Sequence, residues 1–293
     1  LRYKAGQLLA GWSPSLRTAI GVNDVRMVFI KNEGHKAKKV LDGAFRLIWN
    51  VSFVDQICQL LVHKPQNAAD VRAYQGGELN VQAIGMGHHD SGIQQFGEMI
   101  DKVTGIFTGE GDECLVSDDA SGWDLSVGFG SLLLDYERRL ACFRFDNIER
   151  ALVFKKLLLA ETYLNGGHAL LIGKQVWESC RFGITASGIP STSSQNSPIR
   201  ALLARIAGAD WAGTVGDDLL LAFGKGRKCG YEMSVPEVRQ ATEALKDFFV
   251  RCGIRNKQTL VVTREMAKHD GVDFTSHHFK LGPDGYYAEF QNT

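Results

Sequence analysis

Residues 211–223 read Trp-Ala-Gly-Thr-Val-Gly-Asp-Asp-Leu-Leu-Leu-Ala-Phe, an acidic pair between two apolar arms. The arms, Trp211 to Val215 and Leu219 to Phe223, are typical of β-strands, and the glycine before the acidic pair supplies the backbone freedom of a tight turn. The stretch therefore predicts a hairpin with Asp217 and Asp218 at its tip. Taken alone, Gly-Asp-Asp favours an ordinary polar turn, because both residue types are common in turns.

A second acidic pair follows a strand-like Cys-Leu-Val run upstream, at Asp118 and Asp119. A carboxylate at the end of a buried strand is costly unless its charge is compensated, and several carboxylates together raise one another's pKa. Mg²⁺ compensates such charge, since it prefers hard oxygen ligands and typically takes one or two protein carboxylates plus substrate phosphates. We therefore expect Asp119, Asp217 and Asp218 to form a site for phosphoryl transfer. Asp118 should point to the opposite face of its strand.

The composition is that of a folded globular chain: 293 residues, 44% hydrophobic, 23% charged and 10% aromatic. These values exclude a disordered chain. The 33 basic residues balance the 33 acidic ones, so any binding of nucleic acid must depend on a local cluster of basic residues.

Six scattered cysteines without a CxxC pair favour a reducing compartment over a zinc site or a disulfide framework. No apolar run has the length of a membrane span. Because the chain starts with leucine and ends soon after a strand-like run, we expect a segment of a longer protein.

Local patterns predict a mixture of helices and strands. Helical spacing of apolar residues covers 51–61, 125–143, 148–164 and 199–206, and a Ser-x-x-Glu capping box at 234–237 opens a helix ending near Gly253. One strand is predicted at 168–177, another at 259–262 and a hairpin at 274–290, whereas the glycine-rich stretch 76–92 predicts loops and short elements. Since no regular βαβ alternation is present, the fold class is α+β.

Three blocks occur in a defined order: Asp119-Ala-Ser-Gly-Trp-Asp124, then Ser187-Gly188 with Thr192 and Asn196, then Gly216-Asp217-Asp218. They resemble motifs A, B and C of viral RNA-dependent RNA polymerases of positive-strand RNA viruses. The basic segment at 28–48 resembles motif F of the same family. Ser-Gly-Trp-Asp, Val54-Asp55-Gln56 and Thr192-Ser193-Ser194 are most similar to the sobemovirus and polerovirus branch. Gly34 and Ala44 depart from the usual proline and arginine of that branch.

The resemblance implies a right-hand polymerase whose palm is an antiparallel sheet backed by helices, with interleaved fingers and a largely missing thumb. The implied boundaries are fingers at 1–111, palm at 112–140, a fingers insertion at 141–183, palm again at 184–280, and the start of the thumb at 281–293. Motif F lies within the fingers at 28–48.

The resemblance also implies residue roles. Asp119 and Asp217 would hold two Mg²⁺ ions, which Mn²⁺ could replace, and Asp218 is either a further ligand or an ordinary turn carboxylate. Lys257 would protonate the leaving pyrophosphate; the alternative is a surface lysine beside Arg255. The residues expected to bind the nucleoside triphosphate are Lys31, Lys39, Arg46, Asp124, Ser187, Gly188, Thr192 and Asn196.

Within that set, the basic side chains of Lys31, Lys39 and Arg46 would face the triphosphate. Asp124 could accept a hydrogen bond from the ribose 2′-hydroxyl, which distinguishes RNA from DNA precursors. Asn196 would orient Asp124 with Ser187 and Thr192 completing the network, or would merely cap a helix ahead of a proline. Gly188 gives its loop backbone freedom. The motif E resemblance at 274–279 would grip the primer strand.

The implied function is template-directed RNA synthesis in a viral replicase. The expected partners are an RNA template, a primer or product strand, nucleoside triphosphates and other replicase proteins. The expected location is the host cytoplasm, in replication complexes that other segments could attach to membranes. Two alternatives remain: a reverse transcriptase, against which Asp124 and Asn196 argue, and a non-catalytic RNA-binding replication factor, against which the carboxylates argue.

Overall fold

The computed structural model describes residues 13–32, 40, 41, 43, 45, 47–75, 83–87, 89–179, 183, 185–224 and 233–291. Its helices are α1 (Pro14–Ala19), α2 (Phe53–Gln75), α3 (Asp90–Thr104), α4 (Trp123–Ser126), α5 (Phe129–Cys142), α6 (Ile148–Asn165), α7 (Thr192–Ile206), α8 (Val235–Arg251) and α9 (Arg264–His269). Its strands are β1 (Arg26–Ile30), β2 (Leu47–Asn50), β3 (Cys114–Ser121), β4 (Ala169–Ile172), β5 (Gln175–Glu178), β6 (Trp211–Val215), β7 (Asp218–Ala222), β8 (Arg255–Thr263), β9 (Val272–Phe274), β10 (His277–Gly282) and β11 (Gly285–Phe290).

The chain divides into two compact units. Unit 1 comprises Leu1–Gln66 and Asp124–Thr192, and unit 2 comprises Asn67–Trp123 and Ser193–Thr293. Both mix helices with sheets in which antiparallel pairing prevails. The predicted α+β class is therefore confirmed. In the described ranges, we find no helix with the length and apolar character needed to cross a bilayer.

Unit 1 is built on a four-stranded sheet in the order β2-β1-β4-β5, in which β1 and β4 pair in parallel. A small apolar cluster includes Val28, Trp49 and Ile189. Beside it lies a buried polar network, in which the Arg26 guanidinium donates to Asn165 Oδ1 at 2.8 Å and contacts His168 Nε2 at 2.9 Å. These hydrogen bonds offset part of the cost of burying the Arg26 charge.

Unit 2 contains a four-stranded antiparallel sheet in the order β6-β7-β3-β8 and a three-stranded sheet in the order β11-β10-β9. The main core cluster of this unit joins both sheets to α3. Phe96 of α3 stacks on Phe274 with 4.7 Å between ring centroids and meets Phe279 edge-on at 5.0 Å. The interior strand β3 is apolar up to Val116 but continues to Ser121, so Asp118 and Asp119 lie within the strand, whereas the sequence pattern predicted them at its end.

Several predicted elements are confirmed with shifted ends. The hairpin forms at 211–222, and α8 begins with the expected capping box. The helix predicted from Ile199 begins earlier, at Thr192, because residues 194–198 are buried and this burial outweighs the tendency of Pro198 to end a helix. The helix predicted to end near Leu61 continues to Gln75. The single helix predicted over 125–143 is two, α4 and α5, separated by a break before Phe129.

Candidate active site

The four-stranded sheet of unit 2 brings acidic residues from distant parts of the chain together. β3 and β7 pair antiparallel with Asp118 opposite Leu219, so extending this register by one residue sets Asp119 beside Asp218. Directly opposed residues in such a pair have Cα atoms about 4.5–5.5 Å apart. Asp217 immediately precedes Asp218 in the turn of the β6–β7 hairpin. Three carboxylates therefore converge at one edge of the sheet.

Helix α7 holds the turn that carries these carboxylates. Gly216 has φ +64, in the left-handed region that favours glycine. Its N–H donates to Ser197 Oγ at 2.7 Å, and the Thr214 hydroxyl donates to the Ser197 carbonyl at 2.9 Å. Because one residue of α7 bonds both the end of β6 and the first residue of the turn, the helix fixes where Asp217 projects. Sequence reasoning missed the role of Ser197.

The cluster carries excess negative charge. Burial, followed by the charges of Asp217 and Asp119, raises the pKa of Asp218 to about 7, while Lys257 and Arg200 oppose the shift. A carboxyl group with such a pKa is only partly ionised near neutral pH. The fold thus leaves repulsion among these carboxylates that a bound cation would relieve.

This repulsion predicts that Asp218→Asn stabilises the protein at alkaline pH when divalent cations are removed with EDTA. Since the folded-state pKa lies above the unfolded value near 4, the folded protein binds this proton more tightly. Wild-type stability should therefore fall as the pH rises from about 4 to about 7, and the variant should lack this loss. We expect Asp218→Asn to be more stable at pH 8 by on the order of 2 kcal/mol, and no more stable at pH 4. Urea unfolding at both pH values measures the difference; an equal difference at both would contradict the assignment.

Lys257 lies beside Asp119 because of a local irregularity in β8. Asp119 pairs with Gln258 and Ala120 pairs with Asn256, so Lys257 is an extra residue in the ladder. Such a bulge re-aims a side chain. The Lys257 ammonium contacts the Asp119 carboxylate, with 64% and 37% of the two side chains exposed. An ion pair this exposed adds little stability.

Asp118 points away from the cluster, as predicted. Its side chain is fully buried and forms an ion pair with Arg200 of α7. Burial raises the pKa of Asp118, and the Arg200 guanidinium and the Thr259 hydroxyl oppose that shift. Sequence reasoning missed Arg200, although an arginine between apolar residues of a short helix was an available signal.

The loop that contains Ser187, Gly188 and Thr192 and resembles motif B lies in unit 1. The Ser187 hydroxyl donates to the Leu47 carbonyl at 3.1 Å, and the Thr192 hydroxyl donates to the carbonyls of Ala186 and Ile189, both at 2.9 Å. Gly188 has φ +101, and a Cβ there would lie 2.9 Å from the Trp49 carbonyl oxygen. This position therefore requires glycine.

The other predicted nucleotide-binding residues are distributed over both units. Lys31 follows β1, and Asp124 lies in α4, where its carbonyl accepts the Thr185 N–H at 3.0 Å. Asn196 of α7 is buried in unit 2, and its Oδ1 has no hydrogen-bond partner among the described residues. Lys39 and Arg46 lie outside the described residues. The roles of all these residues stay predictions.

A metal site built from protein ligands alone is not found in the part of the chain that the structure describes, where no group of at least three His, Cys, Asp or Glu side chains could hold an ion. The carboxylate cluster nevertheless fits Mg²⁺, which typically takes one or two protein carboxylates together with substrate phosphates. The raised pKa of Asp218 is the observation that supports this fit.

Comparison with known protein families connects this geometry to an enzyme class. Residues 170–290 match the family model of viral RNA-directed RNA polymerases. Over this range, the chain is similar to that family. The matched range runs from β4 to β11 and contains Gly216-Asp217-Asp218 and Lys257.

Curated relatives agree with the family assignment. The chain is 30% identical to Protein P2-P3 of Poinsettia latent virus over 219 residues, which are 72% of this chain and 19% of the relative. It is 32% identical to Protein P1-P2 of potato leafroll virus over 209 residues (69% and 19%) and 30% identical to Replicase polyprotein P2AB of cocksfoot mottle virus over 210 residues (71% and 21%). The chain spans about one fifth of the length of these relatives. The predicted resemblance to viral polymerases of the polerovirus and sobemovirus branch is confirmed.

Proposed function

We propose that this chain is the core of an RNA-dependent RNA polymerase from a positive-strand RNA virus. It extends RNA by attack of a 3′-hydroxyl on the α-phosphate of a template-selected nucleoside triphosphate, and pyrophosphate leaves. The observation that carries the proposal is the convergence of Asp119, Asp217 and Asp218 at one sheet edge in a chain that is similar to the viral polymerase family. In this proposal the palm comprises 112–140 and 184–280, which include the four-stranded sheet of unit 2 with α7 and α8.

The carboxylates hold the divalent cations in this proposal. Asp119 and Asp217, with Asp218 beside them, would bind two Mg²⁺ ions or Mn²⁺ in their place. When bound, these ions supply the charge that neutralises the transferring phosphoryl group. Ser197 keeps the turn fixed, so the carboxylates need little rearrangement when substrate binds.

Lys257 supplies a proton in this proposal. Its ammonium group contacts Asp119 and is largely exposed, so it can also reach a group bound at the cluster. Donation of a proton to the leaving pyrophosphate oxygen would lower the barrier for departure.

Nucleotide recognition falls to the other predicted residues. Lys31, Lys39 and Arg46 would face the triphosphate, and Asp124 and Asn196 the ribose. The buried Oδ1 of Asn196 supports this assignment, because a buried acceptor without a partner is costly and a ribose hydroxyl would satisfy it. In the same proposal, Ser187 and Thr192 complete the network around Asp124 and Asn196, and Gly188 gives the loop its backbone freedom.

This assignment predicts that Asn196→Ala weakens selection against deoxynucleotides. Without the buried amide, the 2′-hydroxyl loses part of its recognition, so the ratio of kcat/KM for ATP to that for dATP should fall about tenfold. Single-nucleotide extension with both substrates measures the ratio. Asn165→Ala is the matched control, because Asn165 is equally buried but accepts from Arg26 and Gln59. That control should lose stability and keep its selectivity, whereas an unchanged ratio in Asn196→Ala would remove Asn196 from the ribose site.

The proposed function is tested by incubating the chain with an RNA template, an annealed RNA primer, Mg²⁺ and labelled nucleoside triphosphates. We expect extension that requires the complementary ribonucleotide. Preferential incorporation of deoxynucleotides would identify a reverse transcriptase. RNA binding without extension, in this chain and in the longer viral protein, would favour a non-catalytic replication factor.

The wider setting follows from the same proposal. The partners would be template RNA, a primer or product strand and other replicase proteins, within replication complexes of the host cytoplasm. The name Replicase polyprotein, which the cocksfoot mottle virus relative carries, supports a role beside other replicase segments.

A further inference from the structure

Arg200 and Asp118 form a buried ion pair on the opposite face of β3 from Asp119. Neither side chain is exposed to solvent. One oxygen of Asp118 contacts Arg200 Nη2, and the other accepts the Thr259 hydroxyl. The pair therefore joins helix α7 to the adjacent strands β3 and β8, which carry Asp119 and Lys257.

Aromatic rings hold the guanidinium in place. Its central carbon lies 4.4 Å from the centroid of the Phe249 ring and 5.3 Å from the Trp123 ring. A cation over an aromatic face is attracted by the ring. Nε and Nη1 of Arg200 have no hydrogen-bond partner among the described residues. The charge is thus held mainly by one carboxylate and two rings.

Stability alone is a poor explanation for this pair. The desolvation of two buried charges offsets most of their attraction, and an apolar pair of similar volume is often as stable. The position of the pair is more informative than its strength. Asp118 immediately precedes Asp119, and the charge of Arg200 also acts on Asp119 and Asp217.

The backbone ladder between β3 and β8 becomes irregular directly after Asp119. The register between β3 and β8 shifts between Asp119 and Ala120, where Lys257 is the extra residue. The β3–β7 ladder ends at Asp118, which pairs with Leu219, and the β3–β8 ladder is regular through Asp119, which pairs with Gln258. The side chain of Asp118 is therefore anchored one residue before the last regular pair.

We propose that Arg200 is a positioning residue of the active site, which acts through Asp118 to hold β3 so that the Asp119 carboxylate faces Asp217 and Asp218. Because neighbouring side chains of a strand point to opposite faces, fixing Asp118 on one face fixes the direction of Asp119 on the other. The inference deepens the proposed polymerase function and rests on it for the catalytic readout alone.

The decisive variant is Asp118→Leu with Arg200→Met. It removes both charges at similar side-chain volume, so neither charge is left buried without its partner. We expect its urea unfolding to be close to that of the wild type. Its Mn²⁺ affinity, measured by electron paramagnetic resonance titration of the free ion, should fall at least tenfold. Its kcat should fall by about ten- to a hundredfold while the KM for nucleotide changes little, since misplaced groups lose rate more than ground-state binding. Arg200→Lys, which keeps the charge, should recover part of both losses.

A matched control is the pair Asp135 and Arg139 of unit 1, which is similarly buried at 2.7 Å. Asp135→Leu with Arg139→Met should leave Mn²⁺ affinity and kcat unchanged. If the Asp118→Leu, Arg200→Met protein binds Mn²⁺ and extends RNA as the wild type does, the pair is only structural and the inference is overturned. If the wild type makes no RNA, the proposed function fails, and the comparison of Mn²⁺ affinities still decides the role of Arg200.

Discussion

Asp217→Asn is expected to reduce RNA synthesis by on the order of 10³-fold or more. The asparagine keeps the size of the side chain but removes a charge from the turn that Ser197 fixes, so the cluster loses a charged ligand for the divalent cations. Unfolding would not explain the loss. The charge of Asp217 helps to raise the pKa of Asp218, and removing it relieves repulsion in the folded protein. Single-nucleotide primer extension over a range of Mg²⁺ concentrations measures the effect.

The control lies at the other end of the same hairpin. Asp210 accepts the N–H of Gly224 at 2.5 Å, and Asp210→Asn keeps that acceptor while removing an equal charge. We expect this variant to extend RNA at nearly the wild-type rate. Asp217→Asn extending RNA as fast as Asp210→Asn would reject the cluster as the metal site and, with it, the proposed mechanism.

Residues 211–222 illustrate what sequence could predict about the site. Two short apolar arms and one glycine determine a hairpin through contacts close in sequence, so local patterns suffice. The meeting of that hairpin with Asp119 required more than pattern. It depends on the order of strands β6-β7-β3-β8, which only the polymerase resemblance indicated.

Elements governed by tertiary packing were predicted less well. Helix α3 was missed, although its apolar residues at positions 93, 96 and 100 follow helical spacing, because its first turn falls in the glycine-rich stretch 76–92 that predicted loops and short elements. The start of α7 was placed too late because Pro198 is a helix breaker in isolation. Burial of the preceding turn reverses that preference. The contact of Lys257 with Asp119 depends on a bulge in β8, and a register shift leaves no mark in a single sequence.

Lys257→Leu is expected to lower kcat by about 10²-fold, the typical contribution of a positioned general acid. The leucine keeps an apolar stem without a transferable proton, so the pyrophosphate oxygen must take its proton from water. Because the exposed pair with Asp119 adds little stability, the urea unfolding of the variant should be close to that of the wild type. Rapid-quench measurement of single-nucleotide incorporation separates the chemical step from product release.

Lys257→His tests whether the protonated group at this position sets the rate. Histidine ordinarily titrates near pH 6.5, about four units below lysine, so it can donate a proton only at lower pH. We expect this variant to recover activity at pH 6 and to lose it by pH 8. Lys280→Leu is the matched control, because Lys280 also pairs with a carboxylate, Glu289 at 2.9 Å, but lies in the β10–β11 hairpin. A Lys257→His profile parallel to that of the wild type would show that residue 257 supplies neither a proton nor a charge that the rate depends on, since either contribution must follow the titration of the imidazole.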